Sequence, residues 1–153
     1  ACGIRAASLR RVDGFNAALQ YCYEDVEVCL RLVDSGARIA WVESAAVQHH
    51  RAASWLRDDD QVITDPYPVM LSRAVFAVQN SPTDVSDVLA AWLAAWSDGP
   101  AELVPEDRRA WFRERAQQGI TDGVRIGREG RPRVRLEEVS RHDFRPYQSS
   151  TSS

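Results

Sequence analysis

The sequence predicts an α/β segment followed by a mainly α-helical extension, and two patterns indicate this order. Residues 37–43 have the β-branched and aromatic content of a strand, directly after a stripe of apolar residues at helical spacing. Beyond residue 57 the apolar positions follow helical spacing and are preceded by helix start signals. We therefore divide the chain into residues 1–56, residues 57–145 and a polar tail, 146–153, which we expect to be disordered.

Strand and helix are predicted to alternate in the first segment. Residues 2–7 resemble a short strand, and residues 8–12 resemble one helical turn that leads into a turn at Gly14. A helix is then predicted from Glu24 to the stop at Gly36, because one face carries apolar side chains at i, i+3, i+4 and i+7. These side chains are Val26, Cys29, Leu30 and Val33. The predicted strand at 37–43 would return the chain towards the start of this helix.

Three helices are predicted in the second segment. They are expected over residues 66–79, from an N-cap at Ser81 with Pro82 at the first helical position, and from Pro105 onward. Three glycines spaced four apart would share one face of the last helix: Gly119, Gly123 and Gly127. Such a face admits a neighbouring backbone, but each glycine also weakens a helix by about 1 kcal/mol, so a broken helix stays open. Residues 131–138 alternate as in an edge strand.

Composition excludes some classes of function. A net charge of −3 offers no basic field for nucleic acid. The three cysteines form neither a zinc motif nor a disulfide framework, which favours a reducing cytosol. No apolar run reaches the roughly 18 residues that a membrane span needs.

Acids and histidines are predicted to converge at the start of the second helix. That helix carries the chain about 18 Å away from Glu24 and Asp25. About six strand residues return it over the same distance, which brings His49 and His50 near the acids. Two carboxylates beside an imidazole suit a general base and a metal ligand. Alternatively, the acids only stabilise the positive end of the helix dipole.

Several motifs between residues 3 and 54, in this order, resemble the second half of the catalytic domain of family 2, GT-A type glycosyltransferases. They are Ile4-Arg5-Ala6-Ala7, Val12-Asp13-Gly14-Phe15-Asn16, Glu24-Asp25-Val26-Glu27-Val28-Cys29-Leu30-Arg31-Leu32, Gly36, and Val47-Gln48-His49-His50 with Ser54. The resemblance implies the C-terminal half of a GT-A fold and an inverting glycosyltransferase. Such an enzyme moves a sugar from a nucleotide-sugar donor to an acceptor hydroxyl.

The resemblance also implies residue roles. Asp25 would be the catalytic base and Glu24 would orient it. His49 would ligate a divalent metal, Mn²⁺ or Mg²⁺, and His50 is the weaker candidate. The sugar and the acceptor would be bound by Gly14, Phe15 and Asn16. Asp13 replaces the first glycine of the family's loop, which puts the tightness of that loop in doubt.

The partners implied by the resemblance are a nucleotide-diphospho-sugar and a glycan or lipid-linked acceptor. The setting would be cell-surface glycan or polysaccharide assembly in the cytoplasm, with possible peripheral contact at the inner membrane face. The family's donor-binding half has no counterpart here, so this chain alone is expected to be an inactive fragment. Residues 58–60, three aspartates, lie in a predicted loop and do not replace that half's Asp-x-Asp motif.

Two other classes of function stay open. The first is a non-catalytic interaction module left by truncation, whose docking face would be formed by Trp92, Trp96 and Trp111. The second is a metal-dependent hydrolase that uses Asp25 and His49. No nucleophile motif or further ligand cluster supports the hydrolase, so we rank it last.

Overall fold

The computed structural model describes residues 2–48, 53–60 and 62–130, which form five α-helices and a short 3₁₀ turn. In chain order the helices are α1 (Ala6–Arg11), α2 (Glu24–Asp34), α3 (Tyr67–Asn80), α4 (Ser86–Asp98) and α5 (Glu106–Glu129). The 3₁₀ turn, Pro100–Leu103, joins α4 to α5.

The predicted α/β fold, and with it the assignment to half of a GT-A fold, is wrong. Between residues 2 and 130 the described chain is helical and has no strand. Residues 2–7 run into α1, and residues 37–43 follow α2 without pairing as a strand. Only isolated bridges occur, from Arg57 to Ser54 and to Ile63. Residues 131–138, the predicted edge strand, lie outside the described residues.

The physical reason for this error is that a strand is not a local structure. β-Branched and aromatic side chains favour extended backbone, but a ladder forms only when a neighbouring strand accepts and donates the hydrogen bonds. Residues 37–43 keep the composition of a strand without such a neighbour in the described part of the chain.

Within the described residues, α3 and α5 pack closely along the predicted glycine face. An added Cβ at Gly119 would lie 2.6 Å from the carbonyl oxygen of Tyr67, and one at Gly123 would lie 2.5 Å from that of Leu71. At Gly127 the Cβ would lie 2.9 Å from the Cβ of Val78. The close-approach alternative is therefore correct, and α5 continues unbroken through all three glycines.

α4 covers the other side of this pair, but it begins later than predicted. Trp96 is buried and stacks on Phe112 of α5, with ring centroids 6.1 Å apart. The predicted N-cap, Ser81, instead ends α3. Asp84 accepts a hydrogen bond from the Ser86 N–H at 2.8 Å, which favours a start at Ser86.

A second apolar cluster fixes the loop before α2 against α3. Leu19 is buried against Leu71 and Val75. Tyr23 stacks on Phe76, with ring centroids 4.6 Å apart. The start of α2 is thereby held beside the middle of α3. None of the helices in the ranges described is both long enough and apolar enough to cross a bilayer.

Candidate functional site

The predicted base, Asp25, lies in the first turn of α2. Tyr23 turns the chain into this helix with a φ of 69°, in the left-handed region. The side chain of Asp25 is exposed, and its Oδ1 accepts a hydrogen bond from the Val26 N–H at 2.8 Å. Glu24 is half-buried beside it. An exposed carboxylate on a fixed helix end can meet an incoming hydroxyl group.

The predicted sugar-binding loop is a tight turn after α1. Asp13 and Gly14 both have positive φ, at 60° and 77°, and the Gly14 N–H donates to the Leu9 carbonyl at 3.0 Å. Asp13 thus adopts the backbone conformation that glycine favours, although it replaces a glycine of the family's loop. The loop is tight despite this departure.

The other two loop residues face different surroundings. The Phe15 side chain is 51% exposed, which leaves its ring available to a ligand. Asn16 binds the protein instead: its Nδ2 donates to Gln79 Oε1 at 3.0 Å, and its Oδ1 accepts from the Ala18 N–H at 3.0 Å. Asn16 therefore ties the loop to α3, a structural task that the resemblance did not assign to it.

One arginine of α2 joins the loop to the helix that carries Asp25. Arg31 donates to the carbonyl oxygens of Val12 and Gly14, the second at 2.8 Å. The same guanidinium donates to both carboxylate oxygens of Glu27 at 2.7 Å. Glu27 is only 6% exposed, so its carboxylate is shielded from water, while the Arg31 side chain is 26% exposed. We call these two side chains and the two carbonyls the Arg31 clamp.

Sequence reasoning missed the clamp, although a signal for it was present. Glu27 and Arg31 are four residues apart, which predicts an ion pair on one helix face. The two carbonyl oxygens to which Arg31 donates lie 17 and 19 residues before it in the chain. No local spacing rule predicts that contact.

The predicted metal ligand, His49, and its neighbour His50 lie outside the described residues. Across the ranges that are described, no group of three ligating side chains gathers around a possible metal position. Glu24 and Asp25 supply carboxylate oxygens but no third ligand to accompany them. No chemical step through a metal follows from these residues.

Two other predicted features are placed by the structure. Asp58 lies in a turn, where its Oδ1 accepts a hydrogen bond from the Val62 N–H at 2.8 Å, in agreement with the predicted loop.

Of the predicted docking tryptophans, Trp96 is buried, Trp92 packs against the same core and Trp111 is 39% exposed. A shallow groove of about 530 Å³ lies on α5 from Ile120 to Glu129 and includes none of the predicted site residues.

Searches against known proteins give no support from relatives. No family model, no curated protein and no solved structure matches this chain.

Proposed function

We propose that this chain takes part in inverting glycosyl transfer from a nucleotide-sugar to an acceptor hydroxyl. The observation that supports this most is the Arg31 clamp, which holds the turn at Gly14 against the helix that begins with Glu24 and Asp25. Two separate motifs of the glycosyltransferase resemblance are thus parts of one local unit. That unit does not require a sheet among the described residues.

The proposed reaction assigns one task to each side chain. Asp25 takes the proton from the acceptor hydroxyl, and the oxygen then attacks the anomeric carbon opposite the departing nucleoside diphosphate. A positioned base of this kind contributes about 10²–10⁴-fold in rate. Glu24 lies beside Asp25 and supports its orientation, while the exposed ring of Phe15 offers an apolar face to the sugar.

A divalent metal, Mn²⁺ or Mg²⁺, stays part of the proposal through His49. When bound, it would supply positive charge to the leaving diphosphate. The acceptor is proposed to be a glycan or a lipid-linked glycan, at the cytoplasmic face of a membrane. These parts rest on the motif resemblance alone.

The test is nucleoside diphosphate release from a panel of nucleotide-sugars, with and without acceptor, in the full-length protein, because the chain alone is expected to be inactive, and in two matched variants of it. Asp25→Asn removes the base and is expected to lower turnover at least 100-fold, within the usual range for a general base. Asp87→Asn removes an exposed first-turn acid of α4 and is expected to leave turnover unchanged. Circular dichroism should show both variants folded.

A second function is favoured by a different observation. Trp41, Val47 and Trp55 are 78%, 67% and 72% exposed, which is unusual for large apolar side chains. They would suit a non-catalytic interaction module. Equal turnover of Asp25→Asn and Asp87→Asn would reject Asp25 as the base and favour this second function.

A further inference from the structure

The hydroxyl group of Ser72 joins α3 to the loop before α2, residues 20–23. The backbone N–H groups of Gln20 and Tyr21 both donate to Ser72 Oγ, at 2.9 and 3.2 Å. The same hydroxyl donates to the Pro68 carbonyl at 2.8 Å, so both its donor and its acceptor positions are used. Ser72 is 0% exposed, and these bonds are therefore shielded from water. Two N–H groups more than 50 residues earlier in the chain depend on this one side chain.

The next two residues of the loop also contact α3. The Cys22 thiol donates to the Val69 carbonyl at 3.7 Å. The ring of Tyr23 stacks on that of Phe76, with centroids 4.6 Å apart. Because Val69, Ser72 and Phe76 are spaced i, i+3, i+7, they lie on one face of α3. This face therefore holds the loop before α2 one residue after another.

The loop before α2 determines where that helix begins. Tyr23 has a left-handed backbone conformation, with a φ of 69°. Its carbonyl accepts the first hydrogen bond of α2, from the Glu27 N–H at 2.8 Å. Asp25 is the second residue of α2, and its Oδ1 is bonded to the Val26 N–H. A displacement of the loop would therefore move Asp25 as well.

α3 is a firm support for this loop because α5 packs closely against it. The backbone of Tyr67 and Leu71 lies so near to Gly119 and Gly123 that an added Cβ would collide with it. A closely packed interior transmits a displacement rather than absorbing it. The position of the candidate site thus depends on the helical part of the chain as well as on the segment that carries the site residues.

We infer that Ser72 is a positioning residue for the proposed base, and that its hydroxyl sets the position of Asp25 through the loop before α2. The inference rests on the proposed function and adds to it a residue outside the segment of the glycosyltransferase resemblance. Ser72 acts through Asp25 rather than on the substrate. A displacement of about 1 Å at a reacting group can lower the rate about 100-fold, so a bond at this distance from the chemistry matters for turnover.

The test compares Ser72→Ala with Ser97→Ala in the full-length protein, with turnover expressed per folded molecule below the unfolding midpoint. Ser97 of α4 is a matched control, because it donates to the Leu93 carbonyl four residues earlier, as Ser72 donates to Pro68. Within the described residues, Ser97 Oγ accepts no N–H group from another segment. Ser72→Ala leaves two N–H groups without their acceptor and should lower turnover about tenfold or more. Ser97→Ala should keep wild-type turnover.

A double variant separates positioning from a general effect on folding. If Ser72 acts through Asp25, Ser72→Ala should lower the turnover of Asp25→Asn by less than about twofold. A merely structural role would lower turnover by the same factor in both backgrounds. Equal factors in both, or wild-type turnover of Ser72→Ala, overturn the inference. If Ser72→Ala does not fold, Phe76→Leu decides by the same comparison, since it removes the ring that stacks on Tyr23 and keeps an apolar side chain.

Nuclear magnetic resonance distinguishes failure of this inference from failure of the proposed function. Absence of transfer by wild type, or wild-type turnover of Asp25→Asn, rejects the proposed function alone. The amide signals of Asp25 and Val26 then decide the inference. A shift of these signals in Ser72→Ala but not in Ser97→Ala supports it, and unshifted signals in Ser72→Ala overturn it.

Discussion

The glycine face of α5 and the segment 37–48 both carry clear sequence patterns. In the structure, only the pattern on α5 leads to close packing. On α5, three glycines bring the backbone against α3 so closely that each added methyl group would collide. In the segment 37–48, apolar side chains stay in solvent, with Trp41 78% exposed and Val47 67% exposed. The sequence left a close helix contact or a broken helix open on α5 and predicted a strand at 37–43, but only the first stretch finds its complement within the described chain.

The comparison teaches that helix patterns and strand patterns carry different information. A helix satisfies its backbone hydrogen bonds internally, so its spacing and caps can be read from nearby residues. A strand requires a neighbour that can come from anywhere in the chain or from another chain. Apolar alternation alone therefore does not establish a sheet.

The largest expected effect concerns Gly123, the tightest of the α5 glycines. Gly123→Ala would set a Cβ 2.5 Å from the Leu71 carbonyl oxygen and 2.7 Å from the Ala74 Cβ. Alanine is the better helix former by about 1 kcal/mol, but we expect the collision to exceed this gain and lower the free energy of unfolding by about 2–3 kcal/mol. Urea denaturation measures the change.

The matched control for Gly123 is a glycine in open space. A Cβ added at Gly3 meets nothing within 4 Å, so Gly3→Ala should change the midpoint by less than the measurement error. Equal stability of Gly123→Ala and wild type would mean that the helices are further apart than described.

The Arg31 clamp should give a smaller effect on stability. Arg31→Gln leaves the carboxylate of Glu27 buried without its partner and frees the carbonyls of Val12 and Gly14. We expect a loss of about 2 kcal/mol, because an unpaired buried charge is destabilising. Nuclear magnetic resonance should also show a change in the backbone at Gly14.

Arg125→Gln serves as the control for the clamp. Arg125 pairs with Glu129 at 3.3 Å, but both side chains are more than half exposed, and such pairs contribute at most about 1 kcal/mol. A stability loss as large in Arg125→Gln as in Arg31→Gln would contradict the special role of the clamp.

Much of the helical part was predictable from local sequence. The starts of α2 and α5, the extent of α3 and the shared glycine face follow from periodicity, acids in the first turn and proline placement. The apolar stripe predicted on α2 does not match its buried face, because Val28 and Leu32 are buried while Val26 is 45% exposed. The start of α4 was missed, because Ser81 is used to end α3 while Asp84 stabilises the next helix. Ser and Asp both favour the position before a helix, so the sequence alone does not show which of these two residues precedes α4.

The candidate site was less predictable because its contacts are long-range. The exposed position of Asp25 follows from its place in the first turn of α2. The bonds from Arg31 to the carbonyl oxygens of the loop depend on how distant segments pack. The spacing of residues along the sequence does not predict such contacts.

Amide hydrogen exchange tests the central contrast most directly, since it reports the opening of each backbone hydrogen bond. We expect slow exchange at Leu71–Val75 of α3 and Ile120–Val124 of α5, and rapid exchange at residues 38–43. Slow exchange across residues 38–43 would contradict the account, because it would reveal the strand pairing that the described structure lacks.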